Sequence, residues 1–178
     1  MSAFWRLGFD GTGLAELEQA TGLGRQSLYG AFGDKRALFA RVIEHYFERV
    51  LKPAFVDVLD APGSARKNLE RIFELWESTA AAPDFNGCLV GNGISELGLK
   101  DRDLAAVLSR KLELLEEAFV RALTRARRSG EVGAKLPVRA TARSLLATAQ
   151  GLAVVARVRR DRAFVRAVVD QSRRLLDA

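Results

Sequence analysis

FWRLGFDGTGLAELEQATGLGRQSLYGAFGDKRALF, residues 4–39, is the stretch whose reading decides the fold. It holds two short helical runs around a glycine-containing break. Thr12 stands where an N-cap is needed for a run reaching Ala20, with Glu16 one place beyond capping-box spacing and Leu14 and Leu17 facing inward. Thr21-Gly22-Leu23-Gly24 interrupts that run, and a second follows from Arg25 to about Ala31 before Gly33 stops it. Two short helices about a tight turn, the second sized for a DNA major groove, make a helix-turn-helix pattern. Leu17, Ala20, Leu23, Leu28 and Phe32 are the expected core that holds the pair together.

Outward from this stretch the helical period continues. Phe4 and Leu7 lie one turn apart, so a first helix is already under way at Met1 and stops at Gly8. Asp34 caps a long helix from Lys35 toward Leu51 with an apolar stripe of Leu38, Val42, Ile43, Tyr46 and Phe47, until Lys52-Pro53 bends or ends it. Ser64 opens another, residues 88–99 form a third, and Asp101 caps one that runs to Ser129 and stops at Gly130. Pro137 belongs to the first turn of a helix over about 137–159, and the last covers about 161–176. No alternating strand pattern persists anywhere. The expectation is an all-α chain of about nine helices, with a helix-turn-helix domain over 1–48 and a helical bundle over 49–178.

Composition narrows the function. With 178 residues, 48% of them hydrophobic, the chain can bury one core or a small module docked on a larger one. Its apolar runs fall far short of the roughly 20 residues that span a bilayer, and no signal pattern opens it, so a cytoplasmic protein is expected. A single cysteine, Cys88, and a single histidine, His45, allow neither an internal disulfide nor a metal cluster. Paired carboxylates, a nucleophile-base set and a phosphate loop are missing too, which argues against an enzyme.

The formal charge of +6 favours anionic partners, yet its distribution points the other way. Residues 1–50 carry six basic and six acidic side chains, whereas residues 121–178 carry fourteen and four. Nucleic-acid binding therefore cannot be argued from net charge. The arginines at 157, 159, 160 and 162 read as a solvated loop rather than a second nucleic-acid surface.

Gly8-Phe9, Thr12, Gly22-Leu23, Ser27-Leu28-Tyr29, Phe32 and Lys35 occur in the order and spacing of the TetR family of regulators, which this stretch resembles. The resemblance implies an operator-binding N-terminal domain and a C-terminal bundle that binds a small-molecule effector and dimerises. It assigns DNA contacts to Thr12, Gly24, Arg25, Gln26, Ser27, Tyr29, Gly30 and Lys35. Arg25 and Gln26 suit base edges, while Thr12, Tyr29 and Lys35 match positions that meet phosphates. Gly13, Gly30 and Ala31 depart from the family's usual larger residues, and the family usually has more chain before the place of Met1, so helix 1 is expected to be shortened.

Phe55, Phe73, Trp76, Phe85 and Phe119, with Cys88 and Asn92, are the candidate cavity residues. Gly87-Cys88-Leu89-Val90-Gly91-Asn92 resembles a segment of one TetR branch in which the cysteine senses electrophiles or oxidants. An inert, buried thiol at a helix start is the alternative. Leu145, Leu152, Val155, Phe164, Val168 and Leu175 give the last two helices more apolar surface than a terminal hairpin hides, which suggests a homodimer interface. The implied partners are palindromic operator DNA, an effector and a second copy, with no cofactor, metal or membrane.

Overall fold

The computed structural model describes residues 1–177, and every regular element among them is helical. α1 (Ser2–Leu7), α2 (Leu14–Thr21) and α3 (Arg25–Phe32) form a small head. α4 (Lys35–Tyr46) leaves it and runs without a break through a segment of π-type hydrogen bonding, Phe47–Val56, into α5 (Asp57–Asp60). The body comprises α6 (Ala65–Ala80), α7 (Leu89–Leu97), α8 (Arg102–Arg128), α9 (Val138–Val155) and α10 (Arg162–Arg174), closed by a 3₁₀ turn over Leu175–Asp177. Counting the run from Lys35 to Asp60 once gives nine helices among the described residues, apart from the closing 3₁₀ turn.

Caps decide most of these boundaries. Asp34 accepts from the Ala37 N–H at 2.8 Å, Ser64 from Lys67 at 3.2 Å, Asp101 from Leu104 at 3.1 Å, and Asp161 from Ala163 at 2.9 Å. Each satisfies a backbone donor that the first turn leaves free. At α2 the cap is Gly13 and not Thr12. Glu16 is then three residues on, where its carboxylate accepts the Gly13 N–H at 2.8 Å. Thr12 turns inward because α1 stops at Gly8 with an unpaired carbonyl, to which the Thr12 hydroxyl donates at 2.6 Å.

Pro53 neither ends nor sharply breaks its helix. It has no N–H to give, and the backbone around it widens to bonds five residues apart, as from Asp57 N–H to Lys52 O. The boundary expected between residues 48 and 49 thus falls inside a continuous helical run.

Two apolar clusters fill the molecule. One, around Leu69, Phe73, Trp76, Phe119 and Leu145, belongs to the body. The other joins Phe4, Leu17, Leu28, Phe39 and Ile43 of the head to Val90, Leu97, Leu104 and Leu108 of α7 and α8. Phe39 is its pivot, edge-on to Phe4 at 5.1 Å and to Phe9 at 5.2 Å. Of the expected head core, Leu17 and Leu28 are buried and Phe32 half-buried, but Ala20 and Leu23 are exposed. They lie at the end of α2 and in the following turn, both open to solvent.

Polar contacts lock head to body. The Phe9 and Asp10 N–H groups donate to the Glu96 carboxylate at 2.7 and 2.6 Å, and Lys100 pairs with Asp10 at 3.0 Å. Arg36 reaches Asp101 at 2.7 Å, and buried Lys111 donates to Glu44 at 2.6 Å while lying over the Phe47 ring. The head is therefore fixed at α7 and α8 as well as through α4.

Candidate nucleic-acid interface and apolar cavity

α3 begins at Gly24, whose extended backbone turns the chain out of the α2–α3 loop. Arg25, Gln26 and Ser27 follow on the exposed first turn. The Arg25 backbone N–H donates to Glu18 of α2 at 2.8 Å, which holds the start of α3 against α2 without using the guanidinium. That guanidinium has no carboxylate partner among the described residues. Leu28 is fully buried and anchors the helix from beneath, so the side chains before it project outward.

The remaining predicted contact residues divide. Gly30 is exposed on α3, and adding a Cβ there would meet nothing within 4 Å. Tyr29 is half-buried against the head core. Lys35 is half-buried too, its ammonium 4.5 Å from the centre of the Phe9 ring. Thr12 is a correction: its side chain is wholly buried and its hydroxyl is committed to Gly8, so it offers nothing to a phosphate.

A cavity of about 290 Å³ lies where head and body meet. Trp5 comes from α1; Tyr46 from the last turn of α4 and Val50 and Phe55 from the run after it; Trp76 from α6; Cys88 from the start of α7; Phe119 from α8; and Gln150 from α9. Gly87 makes the approach of α7 to α9 possible. Its φ of 77° is in the left-handed region, and a Cβ there would stand 2.7 Å from the Ala153 carbonyl oxygen. The Gly87 carbonyl accepts the Trp5 indole N–H at 3.0 Å, which ties α1 to the cavity wall.

Of the predicted cavity residues, Phe55, Trp76, Cys88 and Phe119 line it, as does Phe85. Phe73 does not. It is fully buried one turn from Trp76, edge-on to the indole at 5.4 Å, with the Arg173 guanidinium over its ring. Asn92 does not either: it is spent on the surface, donating to the Asn86 carbonyl at 3.0 Å and accepting from Arg157 at 3.3 Å. Trp5, Tyr46 and Gln150 were missed by sequence reasoning. Gln150 carried a usable signal, a lone amide among Leu146, Ala149, Leu152 and Ala153 on one face of α9.

Cys88 is buried at the N-cap of α7, with the Gln150 amide nitrogen 3.9 Å from its sulfur. Burial, with Cys88 adjacent, pushes the Tyr46 hydroxyl far above the usual tyrosine range and keeps it protonated. His45 is exposed, and no cluster able to hold a metal occurs among the described residues. No helix is long and apolar enough to cross a membrane.

The expected interface residues also divide. Leu145 and Leu152 are buried in the chain's own core, Leu152 at the cavity, so neither can face a second copy. The 3.6-residue period turns them toward α6 and α8. Val155, Phe164, Val168 and Leu175 are half-buried. The face that α9 leaves open runs through Ala147, Gly151 and Val154, and Val158 continues it in the turn that follows, the two valines being 48% and 89% exposed.

Comparison with known proteins accords with this architecture. Residues 1–42 match the family model for bacterial regulatory proteins of the tetR family, and residues 65–171 match the tetracyclin repressor-like C-terminal domain. YezE, an uncharacterized HTH-type transcriptional regulator of Bacillus subtilis, is 32% identical over 179 residues, covering 99% of this chain and 92% of that protein. The HTH-type transcriptional repressor ComR of Escherichia coli is 27% identical over 158 residues, covering 88% of this chain and 75% of ComR. Among solved structures, a cysteine mutant of the TetR family regulator CifR complexed with 26 bp operator DNA superposes with a TM-score of 0.78 at 28% identity, covering 97% of this chain and 90% of that one. A regulator from Agrobacterium tumefaciens reaches a TM-score of 0.86 at 19% identity over 99% and 93% of the two chains, a likeness of fold.

Proposed function

We propose, from the premise that this chain belongs to the tetR family of bacterial transcriptional regulators, that it acts as a homodimeric repressor released from a palindromic operator by a small apolar effector. Each α3 enters a major groove, with Arg25 and Gln26 at base edges and Ser27, Tyr29, Lys35 and the backbone at Gly24 and Gly30 against phosphates. The protein works in the cytoplasm, where its operator is.

One observation carries the link between ligand and DNA: head and body share the cavity wall. Tyr46, Val50 and Phe55 lie on the helical run that begins at the head, and Trp5 belongs to α1. A ligand that sets the spacing between this run and α6 or α8 tilts α4, and α3 moves with it. Two recognition helices must sit about 34 Å apart to enter successive grooves, so a small tilt at each cavity is amplified at the operator. The π-type segment around Pro53 suits this role because its bonding register is already relaxed.

For the dimer, the open face of α9 is the supporting feature. Ala147, Gly151 and Val154 are small enough to let a symmetry-related α9 approach closely, with α10 alongside. These residues replace Leu145 and Leu152 in the interface.

Selection of bound fragments from genomic DNA tests the reading. The expected product is an inverted repeat whose half-site centres are about one or a few helical turns apart. Fragments with no shared sequence overturn it.

A second reading rests on Cys88, because its thiol lines the same cavity. In that reading an electrophile captured there releases the operator. Cys88→Ser is expected to keep operator binding and its relief by a non-reactive effector. An operator that only thiol-reactive compounds can free, and only from the wild type, establishes the cysteine route instead.

A further inference from the structure

The path of α8 and α9 brings the arginines of the α9–α10 turn to the head. α8 leads away from it: the N-cap Asp101 pairs with Arg36 of α4, whereas Arg125 near the other end donates to the Leu59 and Asp60 carbonyls of α5. α9 comes back. Its Arg139 pairs with Glu117 in the middle of α8 at 2.9 Å, and its last turn reaches α1, where Val154 and the following Arg157 line one shallow groove with Trp5, Arg6 and Gly8. Part of the basic excess at the end of the sequence therefore lies beside the head in space.

Elsewhere in the body the arginines are neutralised within the chain. Arg121 pairs with Asp60 at 2.6 Å, Arg143 with Glu116 at 3.0 Å, and Arg173 with Glu70 and Glu77 at 3.0 and 2.8 Å. The turn differs. Arg157 donates to the Asn92 amide oxygen, and Arg159 has Asp161 at 3.4 Å. Asp161 is already committed as the cap of α10. Arg160, Arg162 and Arg6 are exposed and meet no carboxylate among the described residues. Arg162 also stands on the first turn of α10, where the helix dipole disfavours a cation, and one turn from the exposed Arg166. Cations crowded in this way, with no compensation inside the chain, are stabilised by an anion outside it.

Resting on the operator-bound dimer proposed above, we infer that this turn is a second DNA surface, with Arg160 and Arg162 of both protomers meeting backbone phosphates between the two half-sites. One duplex meets both recognition helices, so the head end of the dimer is the end that faces DNA. Val158 carries the open face of α9 into the turn, which sets the two turns near the two-fold axis and between the heads. Phosphate contacts there add affinity and no base preference.

Arg160→Ala with Arg162→Ala removes four cations from the dimer. In anisotropy titrations of the selected operator, the slope of log affinity against log salt is expected to flatten by about 2–4, and affinity at about 0.15 M salt to fall about tenfold or more. Lysine at both positions should restore the slope. The preference for the operator over one with a base changed in a half-site should hold. Arg128→Ala with Lys135→Ala takes the same charge from exposed sites at the far end of the body and should change neither slope nor affinity. An operator with uncharged methylphosphonates between its half-sites should weaken wild-type binding and cost the Arg160, Arg162 variant little more. An unaltered slope in that variant, an equal loss from the far-end pair, or an equal methylphosphonate penalty in variant and wild type overturns the inference while operator binding by the wild type stands. A wild type that selects no operator overturns the regulator reading, and this surface with it.

Discussion

Arg25→Ala combined with Gln26→Ala is expected to lower affinity for the selected operator by about a thousandfold or more in an anisotropy titration. A good bidentate contact between side chain and base contributes roughly 1–3 kcal/mol of discrimination, and a dimer loses two such side chains from each protomer. Weak, salt-sensitive binding to unrelated DNA should survive, because Lys35, Tyr29 and the backbone at the start of α3 are untouched. The fold should survive as well. Both side chains are exposed, and the bond that holds α3 to Glu18 is made by the Arg25 backbone N–H, which alanine retains. An unchanged operator affinity would remove α3 from the reading role.

Gly151→Arg is expected to convert the dimer to a monomer and to cost operator affinity a factor of about a hundred to ten thousand, the gain that joining two half-site contacts supplies. The position separates association from folding. A Cβ at Gly151 meets nothing within 4 Å in its own protomer, and arginine is favoured over glycine inside a helix by nearly 1 kcal/mol. The melting of the isolated protomer should therefore not fall through local strain. At a close crossing of two α9 helices, by contrast, two guanidinium groups would be driven together around the two-fold axis. Light scattering coupled to size-exclusion chromatography reads the mass. A dimer that persists with full operator affinity places the interface elsewhere.

Legibility in the sequence followed the range of the interaction involved. Asp34, Ser64, Asp101 and Asp161 announce helix starts because a cap bonds a donor two or three residues away. The helix-turn-helix was legible for the same reason: its turn, its buried Leu17 and Leu28 and its exposed Arg25 and Gln26 lie within a dozen residues. Thr12 misled because a threonine before a helix suits two partners equally well, a donor ahead or a carbonyl behind. Only the position of Gly8 O selects between them.

The cavity was half legible. Aromatic residues at helical spacing mark an apolar face, but not whether that face meets a neighbour or an empty space. Phe73 and Trp76 are one turn apart, and one packs under the Arg173 guanidinium while the other lines the cavity. Trp5 and Glu96 have no local signature at all, since their partners are Gly87 and the Phe9–Asp10 backbone, some eighty residues away in each case.

Residues 4–39 by themselves determined the all-helical class, the recognition helix and the family resemblance, because periodicity, caps and glycine turns act over one or two helical turns. Tertiary structure alone decided that Leu145 and Leu152 belong to the core, that α9 presents Gly151 and Val154 outward, and that Trp5, Trp76 and Gln150 meet at one cavity. Those outcomes depend on how far each helix is rotated about its axis when it packs. That rotation is set by the sum of contacts with all its neighbours and not by any stretch of chain read alone.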